Sequence, residues 1–279
     1  MSDQHNMNNQ AIFSRLVKIF GKILNSQKGG KPSDERLVDA HILGTKFFEH
    51  ALSIVDLSNG IDISQIIEKP GIIEPFSSIS ILVRAIFENY LLFFYIFIDT
   101  NDADEFEFRY CTWKLTGLTL AEDHLIAFPY PAEIQGISKS VQEHIDRNKE
   151  LRKRIKATNE YKVHKRDSQD RALKGQFRPP PWIEIAGKAG LGPKYTRTVY
   201  QILTSHDHSG GLATIQIQSY SSKKRTETMI TIINIALSII AIMIEAYIKV
   251  FPETKAILDS DPEIEKIVHI YAGAIKIIP

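Results

Sequence analysis

The run from Ser77 to Ile98 (SSISILVRAIFENYLLFFYIFI) constrains this chain more than any other stretch. It is longer than an ordinary strand and holds no glycine or proline, so it reads as a buried helix. Arg84 and Glu88 sit inside it, four residues apart and therefore on one helical face. A charge in such surroundings costs several kcal/mol unless it is paired and hydrogen-bonded. The two are expected to pair with each other and point into a bundle. One carboxylate does not saturate the five donors of a guanidinium, so Arg84 is expected to find further partners. Two readings follow. The pair is either a structural salt bridge that fixes helix register, or a polar pocket where Arg84 holds an anionic group and Glu88 acts as base or orients Arg84.

The remaining pattern is helical throughout. Ser33-Asp34-Glu35 reads as a helix start, followed by Leu37, Ala40, Leu43, Phe47, Ala51 and Ile54 at three- and four-residue steps. Gly60 to Ser78 is punctuated by Gly60, Pro70, Gly71 and Pro75 and predicts a loop with at most one short helix. Further helices are predicted over Glu105 to Leu118, Lys194 to Ser205, about Lys223 to Phe251, and from Asp261-Pro262 onward. Gln176 to Pro181 is extended, because successive prolines forbid helix. There is no internal repeat and no alternating βαβ rhythm. The fold class is all-α, an irregular multi-helix bundle with a polar, partly basic helical arm. Three parts are expected: residues 1–32 as a flexible N-terminal segment carrying a basic amphipathic helix, 33–251 as the helical core with the arm 141–178 inside it, and 252–279 as a C-terminal helix.

Composition excludes several classes. The chain has 279 residues, 43% hydrophobic and 24% charged, which suits a globular protein with a sizeable core. The 34 basic residues nearly cancel 33 acidic ones, so bulk charge specifies no polyanionic partner. A lone cysteine, Cys111, excludes an intrachain disulfide and a thiolate metal cage, and fits a reducing, cytoplasmic setting. Met229 to Val250 is very apolar, but a span needs about 20 predominantly apolar residues. Thr231, Asn234, Ser238, Glu245 and Lys249 make it a core helix, and no membrane span is expected.

Two stretches invite partners. Ala11 to Leu24 alternates Ile12, Leu16, Ile19, Phe20 and Ile23 with Arg15, Lys18 and Lys22. Such a helix packs on its own domain, across a homodimer or in a protein partner's groove, or on an anionic surface; the first two are the commoner uses. Val141 to Leu173 is rich in lysine and arginine and could grip phosphate backbones, but Glu143, Asp146, Glu150, Glu160, Asp167 and Asp170 dilute it toward a solvated face.

A second polar cluster comprises Tyr200, Ser205, His206, Asp207 and His208 before Gly210-Gly211. Contiguous Ser-His-Asp side chains do not converge as a hydrolase triad, and no G-x-S-x-G elbow exists. His206 and His208 would share a metal only in an extended segment with carboxylates from elsewhere, so no metal is assigned. The glycines at 190, 192, 210 and 211 lack dinucleotide or P-loop spacing, so no cofactor is assigned either.

Arg84-Ala-Ile-Phe-Glu88, then Trp182, Tyr195, Tyr200-Gln-Ile-Leu-Thr-Ser205 and His208, resembles a bacterial family of helical proteins known as a domain of unknown function. Its signature is R-x3-E, a later tryptophan, and Y-x-x-L-[ST] followed shortly by histidine. The resemblance covers about residues 35 to 250. It implies that Arg84, Glu88, Tyr200, Ser205 and His208 meet in one site; His206 does not match, and no activity carries over. Arg36-Leu-Val-Asp-Ala-His41 is also similar to the R-x4-6-H motif of HEPN-type ribonuclease toxins, although roughly one such match is expected from composition alone. The charged pair on an apolar helix, combined with the Tyr-Ser-His cluster, motivates one reading: an enzyme acting on RNA or a nucleotide, of the toxin or defence kind. In it Arg84 would stabilise an anionic group, His208 or Glu88 would move a proton, and Tyr200 and Ser205 would orient them. The alternative is a non-enzymatic interaction or sensor module in which the network is structural.

Overall fold

The computed structural model describes residues 2–27, 34–64, 71–127, 135–207, 214 and 222–277. Among them are twelve α-helices and one two-stranded antiparallel hairpin, so the fold is an all-α bundle. The chain divides into two compact units, residues 1–98 with 181–279 and residues 99–180. These borders differ from those read in the sequence. The N-terminal and C-terminal helices share their unit with the apolar helices, because each buries its apolar face against them, while the arm packs with the helix before it.

The larger unit is built on α1 (Ser2–Ser26), α2 (Glu35–Ser58), α3 (Phe76–Phe97) and α10 (Ser222–Val250). Helix α1 extends back over the polar start of the segment expected to be flexible, and Asn9 there donates to Asn234 on α10 at 2.8 Å. Its apolar side, Phe13, Leu16, Phe20 and Ile23, is buried within the chain. Asp34 caps α2 by accepting the backbone N–H of Arg36, as the Ser-Asp-Glu start predicts. Strands β1 (Ile61–Asp62) and β2 (Ile72–Ile73) pair across the predicted loop, too short to show as alternation.

Four helices meet at Tyr247. Its ring lies 5.6 Å edge-on to Phe20 of α1, 6.2 Å from Phe93 of α3 and 4.5 Å from Phe251 beyond α10, and Phe20 in turn meets Phe47 of α2 edge-on. Gly44 on α2 permits the approach: a Cβ there would come within 2.7 Å of the Tyr247 ring. Two short helices, α8 (Trp182–Lys188) and α9 (Pro193–Asp207), pack on α3, and α11 (Lys255–Asp259) and α12 (Pro262–Ile277) close the other side. The segments Phe76–Phe97 and Glu227–Val250 are long and apolar enough to cross a membrane by length and composition, and most of each is buried inside the bundle.

The smaller unit pairs α4 (Ala103–Ala127) with α5 (Gln135–Ala157), capped by α6 (Asn159–Val163) and α7 (Arg166–Leu173). Its apolar centre includes Phe108, Tyr110, Leu115, Leu151 and Ile155. Charged contacts hold its ends. Arg109 bonds the Asp99 carbonyl at 2.6 Å and its carboxylate at 3.2 Å, and also pairs with Glu105. Asp104 accepts the backbone N–H groups of Asn159 and Glu160, and Glu107 takes Arg154 at 2.6 Å. Gly175, at φ +65°, ends α7 with the Gln176 N–H bonded to the Arg171 carbonyl.

Candidate functional site

The site lies between α3 and α9. Arg84 and Glu88 project from one face of α3, as four-residue spacing requires, and Arg84 Nε donates to Glu88 Oε1 at 2.8 Å. Across from them, Tyr200 is placed by α9, whose Val199 and Leu203 are buried. Arg84 Nη2 donates to the Tyr200 hydroxyl at 3.1 Å, and that hydroxyl donates to Glu88 Oε1 at 3.3 Å. The guanidinium carbon also stands 5.1 Å from the Tyr200 ring centroid, in cation–π range. Side-chain exposure of 15% for Arg84 and 29% for Glu88 places the pair at the wall of the bundle, reachable by solvent, and not in its centre.

An open groove of about 530 Å³ adjoins this triad, lined by Pro181, Trp182, Ile183, Thr196, Arg197, Tyr200 and Gln201. Tyr200 belongs to both. One end of its side chain carries the hydrogen bonds to the charged pair, and the residue also lines the groove beside Trp182. The lining combines two aromatic residues with an exposed guanidinium and an exposed amide. Such a set suits a flat, polar-edged ring bearing negative charge.

Of the five residues expected together, Arg84, Glu88 and Tyr200 meet. Ser205 lies on the same helix as Tyr200 and donates to the Ile202 carbonyl at 2.8 Å. His208 lies outside the described residues, as do Gly210 and Gly211. Trp182 lines the groove. Tyr195, the other aromatic residue of the resemblance, has its hydroxyl buried with no hydrogen-bond partner among the described residues, and burial pushes its pKa up. Arg36 and His41 are engaged on α2. Arg36 pairs with Asp34 at 2.6 Å, and His41 Nδ1 lies 2.8 Å from the Tyr247 hydroxyl. Among the described residues no group of three or more histidine, cysteine, aspartate or glutamate side chains is placed to hold a metal ion.

Arg197, Gln201 and Thr204 were not singled out in the sequence. Thr196, Tyr200 and Thr204 recur every four residues, a polar stripe on α9 that was available as a signal. The Thr204 hydroxyl is buried without a hydrogen-bond partner among the described residues. Comparison with family models, with curated proteins and with solved structures found no match.

Proposed function

We propose that this chain is a helical enzyme directed at RNA or a nucleotide, ribonuclease-like and of the toxin or defence kind, acting at the Arg84–Glu88–Tyr200 site. The observation that carries the reading is the double membership of Tyr200, in the charged triad and in the Trp182 groove. A base stacks on the groove wall formed by Trp182 and Tyr200, with its edge toward Gln201 and its phosphate toward Arg197. Arg84 supplies positive charge beside the reacting phosphate, and Glu88 is the proton acceptor that Tyr200 orients. His208 and Ser205 complete the set in this reading. The setting in this reading is the reducing cytoplasm, which suits a single buried cysteine, Cys111.

A second reading is a non-enzymatic interaction or sensor module. It draws on the way Arg84, Glu88 and Tyr200 satisfy one another across two helices. One set of variants separates the two. In the enzymatic reading, Trp182→Ala and Tyr200→Phe weaken mononucleotide binding, followed by Trp fluorescence, and His208→Ala and Glu88→Gln abolish cleavage of single-stranded RNA. Arg84→Ala then lowers cleavage with a modest loss of stability. In the structural reading, Arg84→Ala costs about 3–5 kcal/mol in a denaturant titration, because Glu88 loses its cationic partner and keeps the Tyr200 hydroxyl in its place. No nucleotide binding by the unmodified chain, with no cleavage, rules the enzymatic reading out.

A further inference from the structure

Residues 147–180 hold twelve lysines and arginines against four aspartates and glutamates, while 99–146 hold three against ten. Folding consumes part of this opposition. Glu107 takes Arg154, Asp146 meets Lys149 at 3.1 Å, Asp167 pairs with Arg171, and Glu160 faces His164 at 3.4 Å. What remains is one-sided. Lys153, Lys156, Lys165, Arg166, Lys174 and Arg178 are exposed, and none has a carboxylate within salt-bridge distance among the described residues. Within 147–180, only Glu150 and Asp170 are left without such a contact.

The placement is ordered. Lys149, Lys153 and Lys156 follow at four- and three-residue steps, so they form a row on one face of α5, roughly 6 and 4.5 Å apart along the axis. Arg152 Nε donates to the Leu173 carbonyl at 2.9 Å, which holds the end of α7, with Lys174, beside the C-terminal turns of α5. Lys165 and Arg166 stand at the start of α7, where the helix dipole disfavours cations, so helix stability does not account for them.

We propose that this basic face, on α5 to α7, is a docking surface for RNA that contacts phosphates and not base edges. A row of separate, exposed cations matches a repeating chain of phosphates. A membrane surface calls for a broad apolar face beside the charge; among the described residues of α5 to α7 Val163 is the one exposed large apolar side chain, which does not supply it. An acidic protein partner calls for apolar or aromatic anchors at its centre, which this row lacks. The docking rests on these residues alone; the choice of RNA over DNA rests on the reading of the Arg84–Tyr200 site.

The test is fluorescence anisotropy of a labelled, mixed-sequence single-stranded RNA at two salt concentrations. The unmodified chain is compared with the fourfold variant Lys153→Gln, Lys156→Gln, Lys165→Gln, Arg166→Gln. All four positions are exposed, and circular dichroism checks that the variant keeps its helix content. The unmodified chain is expected to bind with an affinity that falls steeply with salt. The variant binds roughly tenfold or more weakly, and its log–log salt slope shrinks by about 0.7 for each phosphate contact removed. Lys18→Gln with Lys22→Gln on α1 is expected to change neither. The proposal is overturned by absence of RNA binding at low salt, by an unchanged slope in the fourfold variant, or by an equal loss in the α1 variant. Tighter binding to DNA of the same sequence, to anionic vesicles or to polyglutamate overturns it too. Trp182→Ala, run alongside, reports on the groove: a loss there with an intact basic-face slope condemns the docking surface and spares the groove.

Discussion

The two compact units solve the same problem, holding helices together, by opposite means. The larger one converges four helices on a knot of aromatic rings around Tyr247, and buried apolar side chains line it from Phe13 on α1 to Ile275 on α12. Stability there comes from area removed from water, which is insensitive to charge screening and to pH near neutrality. Among the described residues the smaller unit has a thinner apolar centre and closes its ends with charge: Arg109 on Asp99 and Glu105, Asp104 on the start of α6, Glu107 on Arg154. Such contacts are directional and conditional. They specify which helix end meets which, and they weaken when a carboxylate takes up a proton. The chemistry proposed for each unit follows the same division, an aromatic groove in one and a row of cations in the other.

Three changes would break or sharpen this contrast. The largest effect is expected from Phe47→Ala, which opens a cavity beside Phe20: about 3–5 kcal/mol in a urea titration, independent of salt. Arg109→Ala comes next, at about 3 kcal/mol. It takes the guanidinium away from Asp99 and Glu105 at a position only 6% exposed, while Glu105 keeps its hydrogen bonds from Asn101. Hydrogen exchange should locate its effect in α4 to α7 and leave α1, α2 and α10 protected; a uniform loss across both units would erase the distinction between them. The smallest is Asp104→Asn. Backbone N–H groups of Asn159 and Glu160 hold the Asp104 carboxyl below its ordinary value of 3.8. A lowered folded-state value stabilises above that pH and is lost as pH falls through it. The native chain should therefore show faster exchange in α6 on acidification below about pH 4, while Asp104→Asn shows that faster exchange already at neutral pH and little further change.

The sequence was legible where a long apolar period leaves one solution. Ser77 to Ile98 became Phe76–Phe97, and the Asp34 cap and the α9 span fell where predicted. The pairing of Arg84 with Glu88 followed from spacing and from the cost of an isolated charge, and Tyr200 from the resemblance. Arg197 and Gln201 were hidden because an exposed arginine and glutamine on a short helix look like ordinary surface; only the packing of α8 beside α9 makes them line a groove. The hairpin was invisible because two residues per strand carry no alternation. The grouping of 141–178 with α4 was equally hidden, since Glu107 and Arg154 are far apart in the chain and nothing local announces that they meet.

The larger unit is interrupted: its first 98 residues and its last stretch from 181 onward are separated by the whole of 99–180. A ribosome therefore releases α3, with its apolar faces, long before α9 and α10 exist to cover it. At roughly 5–20 residues per second the intervening stretch alone delays completion by seconds. During that interval the nascent chain exposes a surface that attracts chaperones or other copies of itself. Expression yield should thus depend on the pace of translation through the middle of the message more than on the final stability of the product.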